Sequence, residues 1–524
     1  MLCSRPFMLL LGALALLLIA GMWLASNLPL GADEGTHLTL SLFYRDLLTV
    51  APQLGWNAQS LYQFGIAYLV HYPKLTITYL PFYHLTLAPL LLLSTTVMTG
   101  RALSLLYMVM TGLLVYWTGR RWFGGPRAGL LAALLFISLP MAWWGAFRVS
   151  IDWAAYFLSF ASIGAYLYAI EHNRQPYRWY AIAAVIAYLA LLSRIFAVFP
   201  IVAMMLHAAA WGPRPRLPRL LSLAIPFAVL AIPTLVVFNY FGGLEASSFV
   251  TTEAATAPWS VTGPLAPFYY IWIYPLETAG IGLAVIAAAL LALRDKQNNT
   301  DLFLLAWLAI SYVALTPFQN HRYAAFILMP IVLFAARWFA ALPKARSPLV
   351  GVLVAILIII PVWNAYAEAE SGREQLAAEK QLAAFIEGNP GNIGVLAEEP
   401  IYSSVYIWYA AAADVNKSYS VYRPCFCTAF NSSTLANEIK ANGINTIIAT
   451  RGGPNYGIVA QLTSNRPLME VAVGNETIEV YSIGNVTQTQ SCNHICLTGR
   501  YMCTDLSSPF ELVRSSGTAT SSSP

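Results

Sequence analysis

Two adjacent carboxylates, Asp33 and Glu34, stand just after the first hydrophobic segment, in the stretch Leu28-Pro-Leu-Gly-Ala-Asp-Glu-Gly-Thr-His-Leu38. Charged side chains beside a bilayer are costly, so a pair of them indicates a function. Carboxylates there can take a proton from an attacking hydroxyl or coordinate a cation. We predict that this pair is the centre of a catalytic site, with Asp33 as the base and Glu34 orienting it or sharing a cation. The alternative is that both acids only cap a helix, because acidic residues favour helix N-termini.

Other charged residues at the ends of apolar runs could act with this pair. Asp152 precedes the run that starts at Trp153 and could position an acceptor or a metal. Its alternative role is a helix N-cap bonded to Arg148. Arg194 falls between two apolar runs and could bind a lipid phosphate, or it could simply extend its charge to the membrane interface.

Basic residues in two further loops are candidates for binding phosphate or a metal. His321 and Arg322 lie in a short loop, and the planar guanidinium of Arg322 suits a phosphate bidentately. Lys74 could contact a phosphate or a lipid head group. His71 could complete a metal site with Asp33 and Glu34, although loop histidines also serve as ordinary hydrogen-bonding groups. A divalent metal ion is therefore left open as a cofactor.

The composition indicates that these residues sit in a membrane protein. The chain of 524 residues is 58% hydrophobic and only 10% charged, with a mean hydropathy of +0.61, which excludes an ordinary soluble domain. The net charge of +5 does not indicate nucleic-acid binding, because the basic residues fall in short loops between apolar runs. Residues 7–29 are long for a signal-peptide core and lack a clear cleavage site, so we interpret them as the first span.

Basic loops predict the topology of residues 1–366, the transmembrane domain. The apolar runs lie near residues 7–29, 78–99, 102–118, 128–146, 153–170, 179–192, 195–211, 220–240, 268–293, 302–317, 323–342 and 348–366. The basic loops, which we expect to be cytoplasmic, are Arg120/Arg121/Arg127, Arg174/Arg178, Arg214/Arg216/Arg219, Arg294/Lys296 and Lys344/Arg346. With a cytoplasmic N-terminus, all five share that side only if one early run does not cross. We choose the 78–99 run because of two prolines near its start. It then belongs to a first outer loop at 30–100, which contains juxtamembrane helices. About 11 helices then span the membrane, and the C-terminus is extracytoplasmic.

Hydropathy falls after residue 367, where we predict a small extracytoplasmic α/β domain over 367–485. Short strands are expected at 392–397, 444–449 and 477–482, with a helix at 434–442. A Cys-containing, Ser/Thr-rich tail follows at 486–524. Five cysteines after residue 424 favour disulfides in an oxidising compartment, and a zinc site that includes His494 is the alternative. These disulfide candidates are Cys425, Cys427, Cys492, Cys496 and Cys503.

Several short motifs resemble the GT-C class of integral-membrane glycosyltransferases, in the branch of protein O-mannosyltransferases and aminoarabinose transferases. The elements that carry the resemblance, over about residues 10–345, are Asp33-Glu34, His71-Tyr-Pro-Lys-Leu-Thr-Ile-Thr-Tyr79, Gly100-Arg101-Ala-Leu-Ser104 leading to Gly119-Arg-Arg-Trp-Phe-Gly124, Arg148-Val-Ser-Ile-Asp152 and Asn320-His-Arg-Tyr323. The stretch at His71 departs from the family's His-Pro-Pro-aromatic pattern. Trp143-Trp144-Gly145 lacks the acid of the Trp-Trp-Asp motif, so transfer of a whole oligosaccharide to asparagine is not indicated.

The resemblance implies a polyprenyl-phosphate sugar donor, a lipid phosphate as leaving group, and inversion at the sugar carbon. The acceptor would be a protein, lipid or glycan on the extracytoplasmic face of a plasma membrane. It also implies that Asp152 corresponds to the acidic residue of the family's second outer loop, and that His321, Arg322 and Tyr323 form the basic-Arg-Tyr element before a late span. Two other functions remain open: a transporter or flippase of lipid-linked sugars, and a non-catalytic member of the family.

Overall fold

The computed structural model describes residues 4–71, 79–172, 176–240, 263–294, 298–388, 393–396, 421–422, 439, 444–453, 456–463, 466–473, 476–483, 493–497 and 500–504. In these residues the helices are α1 (Arg5–Asn27), α2 (Ala32–Val50), α3 (Ala58–His71), α4 (Phe82–Leu91), α5 (Val97–Trp122), α6 (Gly125–Ile137), α7 (Pro140–Ala146), α8 (Asp152–Glu171), α9 (Pro176–Leu191), α10 (Val198–Ala210), α11 (Arg216–Tyr240), α12 (Tyr269–Glu277), α13 (Gly282–Ala292), α14 (Asn299–Leu315), α15 (Ala324–Ala341), α16 (Ser347–Ser371), α17 (Arg373–Gly388) and α18 (Tyr456–Leu462).

The chain divides into two units, each of which is described by itself. The first unit comprises Met1–Ser26, Thr78–Tyr83 and Arg101–Ala367. The second unit comprises Asn27–Ile77, His84–Gly100 and Glu368–Pro524. The candidate residues are therefore distributed over both units, with Asp33 in the second and Asp152 in the first.

Long apolar helices make up most of the first unit. A helix needs about 20 apolar residues to cross the hydrocarbon core of a bilayer. Among the described residues, six helices meet that requirement by length and composition: α1, α5, α8, α11 over Arg216–Phe238, α15 and α16. Five shorter apolar helices accompany them, at Phe82–Leu91, Gly125–Ile137, Ile195–Ala210, Gly282–Ala292 and Asn299–Leu315. The predicted α-helical polytopic architecture is confirmed, while the number of 11 spans stays a prediction.

Close helix packing in the first unit fixes the start of α8, which carries Asp152. A Cβ built on Gly119 of α5 would lie only 2.9 Å from the Cα of Gly129 on α6. Small residues here let the two helix backbones approach, as is common in membrane bundles. Phe136 of α6 then meets Trp153 and Tyr156 of α8 edge to face, with ring centroids 5.8 and 6.1 Å apart.

Two apolar runs differ from a single continuous helix. The run at 268–293 is divided, because α12 ends at Glu277 and α13 begins at Gly282. Ala279 and Gly280 between them have φ values of 50° and 85°, the left-handed region that ends helices. In the run at 78–99, α4 has only 10 residues, or about 15 Å of helix. That the 78–99 run does not cross the membrane stays a prediction.

A five-stranded sheet lies in the second unit, built from β1 (Ile393–Leu396), β2 (Val421–Tyr422), β3 (Thr446–Thr450), β4 (Met469–Val473) and β5 (Glu476–Ser482). The order is β2-β1-β3-β5-β4. β1 is parallel to β2 and β3, whereas β5 is antiparallel to β3 and β4. Strands thus occur at all three predicted segments. A separate hairpin joins β6 (Asn493–Leu497) and β7 (Arg500–Thr504).

One side of this sheet is covered by a small apolar core. Ile444, Ile447 and Val459 are buried with Tyr481, and Ile439 belongs to the same cluster. Val459 comes from α18, which packs on β3. The helix predicted at 434–442 lies outside the described residues apart from Ile439.

Candidate active site

The acidic pair lies in the first turn of α2, directly after Gly31. The Glu34 carboxylate accepts a hydrogen bond from the Gly31 N–H at 2.8 Å, and the Glu34 N–H donates to the Gly31 carbonyl at 3.0 Å. Glu34 is 1% exposed, while Asp33 is only partly buried. Glu34 therefore makes the helix-capping contact that was the alternative interpretation of the pair. Asp33 occupies the same first turn, where the helix dipole stabilises a negative charge.

A pair of buried histidines lies one helical turn beyond Asp33. His37 on α2 and His84 on α4 are 3% and 0% exposed, and Nδ1 of His37 lies 3.1 Å from Nε2 of His84. In a hydrogen bond between two imidazoles, one ring donates and the other accepts, so at least one ring is neutral. The contact fixes the orientation of His37 on the face of α2 that follows Asp33.

In the first unit, Asp152 begins α8 and forms a buried ion pair with Arg194. The Arg194 Nε atom lies 3.1 Å from Oδ1 of Asp152, and the two side chains are 12% and 8% exposed. The Ser150 hydroxyl donates to Oδ2 of Asp152 at 3.1 Å and accepts from the Asp152 N–H at 3.2 Å. One oxygen of the carboxylate thus lies in the ion pair, and the other accepts a hydrogen bond. Asp152 is the first residue of α8, and Ile151 occupies the N-cap position that was the alternative role for Asp152.

Arg194 also lies against an aromatic ring from the loop before α15. Its guanidinium carbon is 5.0 Å from the centroid of the Tyr323 ring, within the range of a cation–π contact. Burial by itself lowers the pKa of Arg194, but the Asp152 carboxylate and the Tyr323 hydroxyl outweigh that effect and raise it above its ordinary value. Arg194 is therefore a cation that is largely buried.

A second cationic contact is formed by Trp144 of α7. The guanidinium carbon of Arg322 lies 3.8 Å from the centroid of the Trp144 ring, and that of Arg148 lies 5.6 Å from it. The Arg322 carbonyl accepts a hydrogen bond from the Tyr156 hydroxyl at 3.1 Å, which connects this loop to α8. Stacking uses the face of a guanidinium, whose N–H groups are directed in the plane of the group.

We call Arg148, Arg194 and Arg322, with Trp144, Asp152 and Tyr323, the arginine cluster. Its two halves adjoin: a Cβ built on Gly145, the neighbour of Trp144, would lie 2.9 Å from Oγ of Ser150. The arginine cluster contains three guanidinium groups and one carboxylate, and that carboxylate is paired with Arg194. Such a group of side chains favours a bound anion with several oxygens, such as a phosphate.

The structure locates the remaining predicted site residues less fully. His321 belongs to the short turn His321–Tyr323, and His71 is the last residue of α3, but the side chains of His321 and His71 lie outside the described residues. Lys74 lies outside them as well. Asp33 and Glu34 belong to the second unit, and the arginine cluster belongs to the first.

The described residues bear on the metal site and on two of the cysteines. In that part of the chain there is no group of three His, Cys, Asp or Glu side chains that could hold a metal ion. Cys425, Cys427 and Cys492 lie outside it. In the β6–β7 hairpin, the register pairs Cys503 with His494 and Cys496 with Tyr501, so these two cysteines do not stand opposite each other.

Three residues at these sites were not predicted from the sequence. Trp144 stands four residues before Arg148, which was a usable signal, because aromatic rings commonly stack on a nearby arginine. His84 and Glu379, which contacts the segment before Asp33, carry no such signal. A lone histidine or glutamate in a helix looks the same whether it is buried in a contact or exposed.

Comparisons with known proteins identify the fold. Residues 79–241 match the family model of dolichyl-phosphate-mannose-protein mannosyltransferase. The crystal structure of ArnT from Cupriavidus metallidurans bound to undecaprenyl phosphate is similar with a TM-score of 0.62 and 14% identity, over 93% of this chain and 100% of that one. The apo form of the same protein gives a TM-score of 0.60 and 15% identity, over 90% of this chain and 96% of that one.

A mycobacterial enzyme has a related structure. The arabinofuranosyltransferase AftD from Mycobacteria matches with a TM-score of 0.54 and 15% identity, over 90% of this chain and 41% of that one. A search by sequence among curated proteins finds no match. Together, the family-model match and the structural likenesses confirm the resemblance to the GT-C class.

Proposed function

We propose that this chain, which has the GT-C fold, is a glycosyltransferase that moves a single sugar from a polyprenyl-phosphate donor. The acceptor is a hydroxyl or amine group of a protein, lipid or glycan on the extracytoplasmic face of the membrane. The observation that carries the proposal is the arginine cluster, because a leaving phosphate requires fixed positive charge in a site that excludes water.

Contacts within the arginine cluster support a phosphate site. Arg194 is held by Asp152 at 3.1 Å, and Arg322 is held against Trp144 at 3.8 Å, so neither guanidinium needs to be ordered when the donor binds. The residues that match the mannosyltransferase family model include Trp144, Arg148, Asp152 and Arg194. ArnT, which has the same fold, was crystallised with undecaprenyl phosphate, a lipid of the class that we propose as the leaving group.

We assign the role of base to Asp33. It lies in the first turn of α2 and is less buried than Glu34, whose carboxylate is bonded to the Gly31 N–H. In the proposed step, Asp33 accepts the proton of the acceptor O–H or N–H group. The acceptor atom forms a bond to the anomeric carbon, while the bond from that carbon to the phosphate oxygen breaks. The electron pair leaves with the polyprenyl phosphate, whose charge the arginine cluster neutralises.

The orientation is part of the proposal. The basic loops support a cytoplasmic N-terminus and an extracytoplasmic position for residues 367–485, as a domain that covers the site or recruits the acceptor. Residues 486–524 then form an extracytoplasmic tail. Asp33, Asp152, Arg194 and Arg322 would all lie on the extracytoplasmic side, where the donor sugar is exposed.

A transfer assay tests this function against transport. The purified protein in proteoliposomes receives a radiolabelled polyprenyl-phosphate hexose together with candidate peptide, lipid and glycan acceptors. We expect label on an acceptor and release of an equal amount of polyprenyl phosphate. Movement of the intact labelled lipid between leaflets, without any labelled acceptor, would contradict the proposal and favour a flippase.

A further inference from the structure

The segment that leads into the acidic pair is held by a buried carboxylate from a distant part of the sequence. Glu379 of α17 accepts the Leu30 N–H, with distances of 3.0 and 3.2 Å to its two oxygens. Leu30 precedes Asp33 by three residues, whereas Glu379 follows it by more than 300. Leu30 and Glu379 belong to the same unit of the chain.

Glu379 is itself fixed in place. Its side chain is 2% exposed, and the Gln375 amide one turn earlier donates to its Oε1 atom at 2.8 Å. Burial of a carboxylate is costly unless hydrogen bonds replace its hydration. The Leu30 and Gln375 donors provide those bonds, so the carboxylate and the Leu30 backbone constrain each other.

A second contact holds the same segment at the start of α17. A Cβ built on Gly372 would lie 2.6 Å from the Cγ and Cδ atoms of Pro29. Only a glycine lets the Pro29 ring approach so closely. Pro29 is therefore held by packing against Gly372, just before α17, and Leu30 by a hydrogen bond to Glu379 of α17.

Two consecutive backbone N–H groups before Asp33 are thus each bonded to a carboxylate. The Leu30 N–H donates to Glu379, and the Gly31 N–H donates to Glu34. Both bonds hold the chain where it enters α2. The bond to Gly31 also supplies a partner for an N–H group at the helix start, where such groups have none inside the helix. A change in this entry would move the first turn, and with it the carboxylate of Asp33.

We propose that Glu379 is a positioning residue for the base: through Leu30 it fixes the start of α2 and hence the Asp33 carboxylate. This inference rests on the proposed function of Asp33. It connects residues after α16 to the position of the base. The helix that carries Glu379, α17, also packs against β4 of the sheet.

The test compares variants of the full chain in nanodiscs. Glu379→Ala removes the acceptor, and Glu379→Gln retains one acceptor oxygen for Leu30. Glu374→Ala is the matched control, because Glu374 lies on the same helix but is exposed. Two properties are measured: hydrogen exchange of the peptide that covers residues 28–34, which requires no substrate, and the kcat and donor KM of sugar transfer.

We expect faster amide exchange at 28–34 in Glu379→Ala, with kcat lower by about ten- to a hundredfold, the effect of a misplaced catalytic group. The donor KM should change little, because the arginine cluster is untouched. Glu379→Gln should recover part of both properties, and Glu374→Ala should match the wild type. If Glu379→Ala does not fold, Gly372→Ala provides the same test, since it displaces Pro29 without removing a charge.

Two results overturn the inference in distinguishable ways. Wild-type kcat or wild-type exchange in Glu379→Ala, with Asp33→Asn inactive, would refute the positioning role and leave the proposed function intact. Full activity in Asp33→Asn would refute the role of Asp33, and the inference would fall with it.

Discussion

At the scale of single residues, the two acids of the pair have different surroundings. Glu34 is buried and bonded to the Gly31 N–H, whereas Asp33 is partly exposed in the same turn. A carboxylate that acts as base must reach the acceptor proton. The greater exposure of Asp33 supports Asp33 rather than Glu34 as the base.

Trp144 should be a determinant of donor binding. In Trp144→Leu, Arg322 and Arg148 lose the ring on which they stack, and we expect the donor KM to rise about 2- to 30-fold, the equivalent of one or two cation–π contacts. Trp144→Phe should recover part of the loss. The measurement is donor-dependent transfer kinetics, with Trp363→Leu as the control, because Trp363 is 64% exposed. An unchanged KM in Trp144→Leu would remove this tryptophan from the phosphate site.

Sequence reasoning named the charged members of the arginine cluster but not the contacts that hold them. Arg194, Arg322 and Asp152 were candidates, because a charge at the end of an apolar run is conspicuous. The ion pair between Arg194 and Asp152 joins residues 42 positions apart, and no local pattern indicates it. Glu379 was missed for the same reason.

At the scale of elements, polar contacts of Glu479 on β5 connect the sheet to α18. The Tyr456 and Tyr481 hydroxyls both donate to Oε2 of Glu479 at 2.6 Å, and Arg451 forms an ion pair with the same carboxylate. Burial raises the pKa of Glu479, but these hydrogen bonds and the Arg451 charge outweigh it, and the pKa lies below its ordinary value.

This lowered pKa predicts a loss of stability in acid. Because the folded state binds the Glu479 proton less tightly than the unfolded state does, the stabilisation is present above the ordinary pKa of about 4.3 and is lost as the pH falls below it. The protection of the β3 and β5 amides from hydrogen exchange, measured relative to their intrinsic exchange rates at each pH, should therefore fall on acidification. Glu479→Gln should be less stable at neutral pH and lack this acid-induced loss. The control is Glu470→Gln, whose carboxylate is half exposed, and equal acid sensitivity in both variants would refute the assignment.

The boundaries of elements were predictable only where composition alone decides them. The runs at 7–29 and 348–366 correspond to α1 and α16, because a long apolar segment has few other ways to satisfy its backbone in a membrane. The apolar run at 268–293 forms two helices, α12 and α13. Its break at Ala279 and Gly280 depends on backbone conformations that hydropathy does not report.

At the scale of the whole molecule, the fold and the chemistry have different support. The GT-C fold is established by likeness to ArnT over nearly the whole chain. At 14% identity, however, this likeness does not carry over the sugar or the acceptor. Orientation was predicted from charge alone and requires its own measurement.

Cysteine labelling tests that orientation. In a background without the native cysteines, Arg346→Cys and Arg466→Cys are treated in intact cells with a membrane-impermeant maleimide. We expect position 466 to react from outside and position 346 to react only after permeabilisation, because the loop at 346 is basic and position 466 belongs to the predicted outer domain. The reverse pattern would place Asp33 and the arginine cluster on the cytoplasmic side.

The role of Asp33 can be measured directly by comparing the wild type with Asp33→Asn in the transfer assay. Removal of a general base lowers turnover by about 10²- to 10⁴-fold, and the donor KM should remain near the wild-type value, because Arg194 and Arg322 are unchanged. A kcat at least a hundredfold lower, at similar donor KM, is the expected result. Label transfer by Asp33→Asn at the wild-type rate would contradict the assignment of the base.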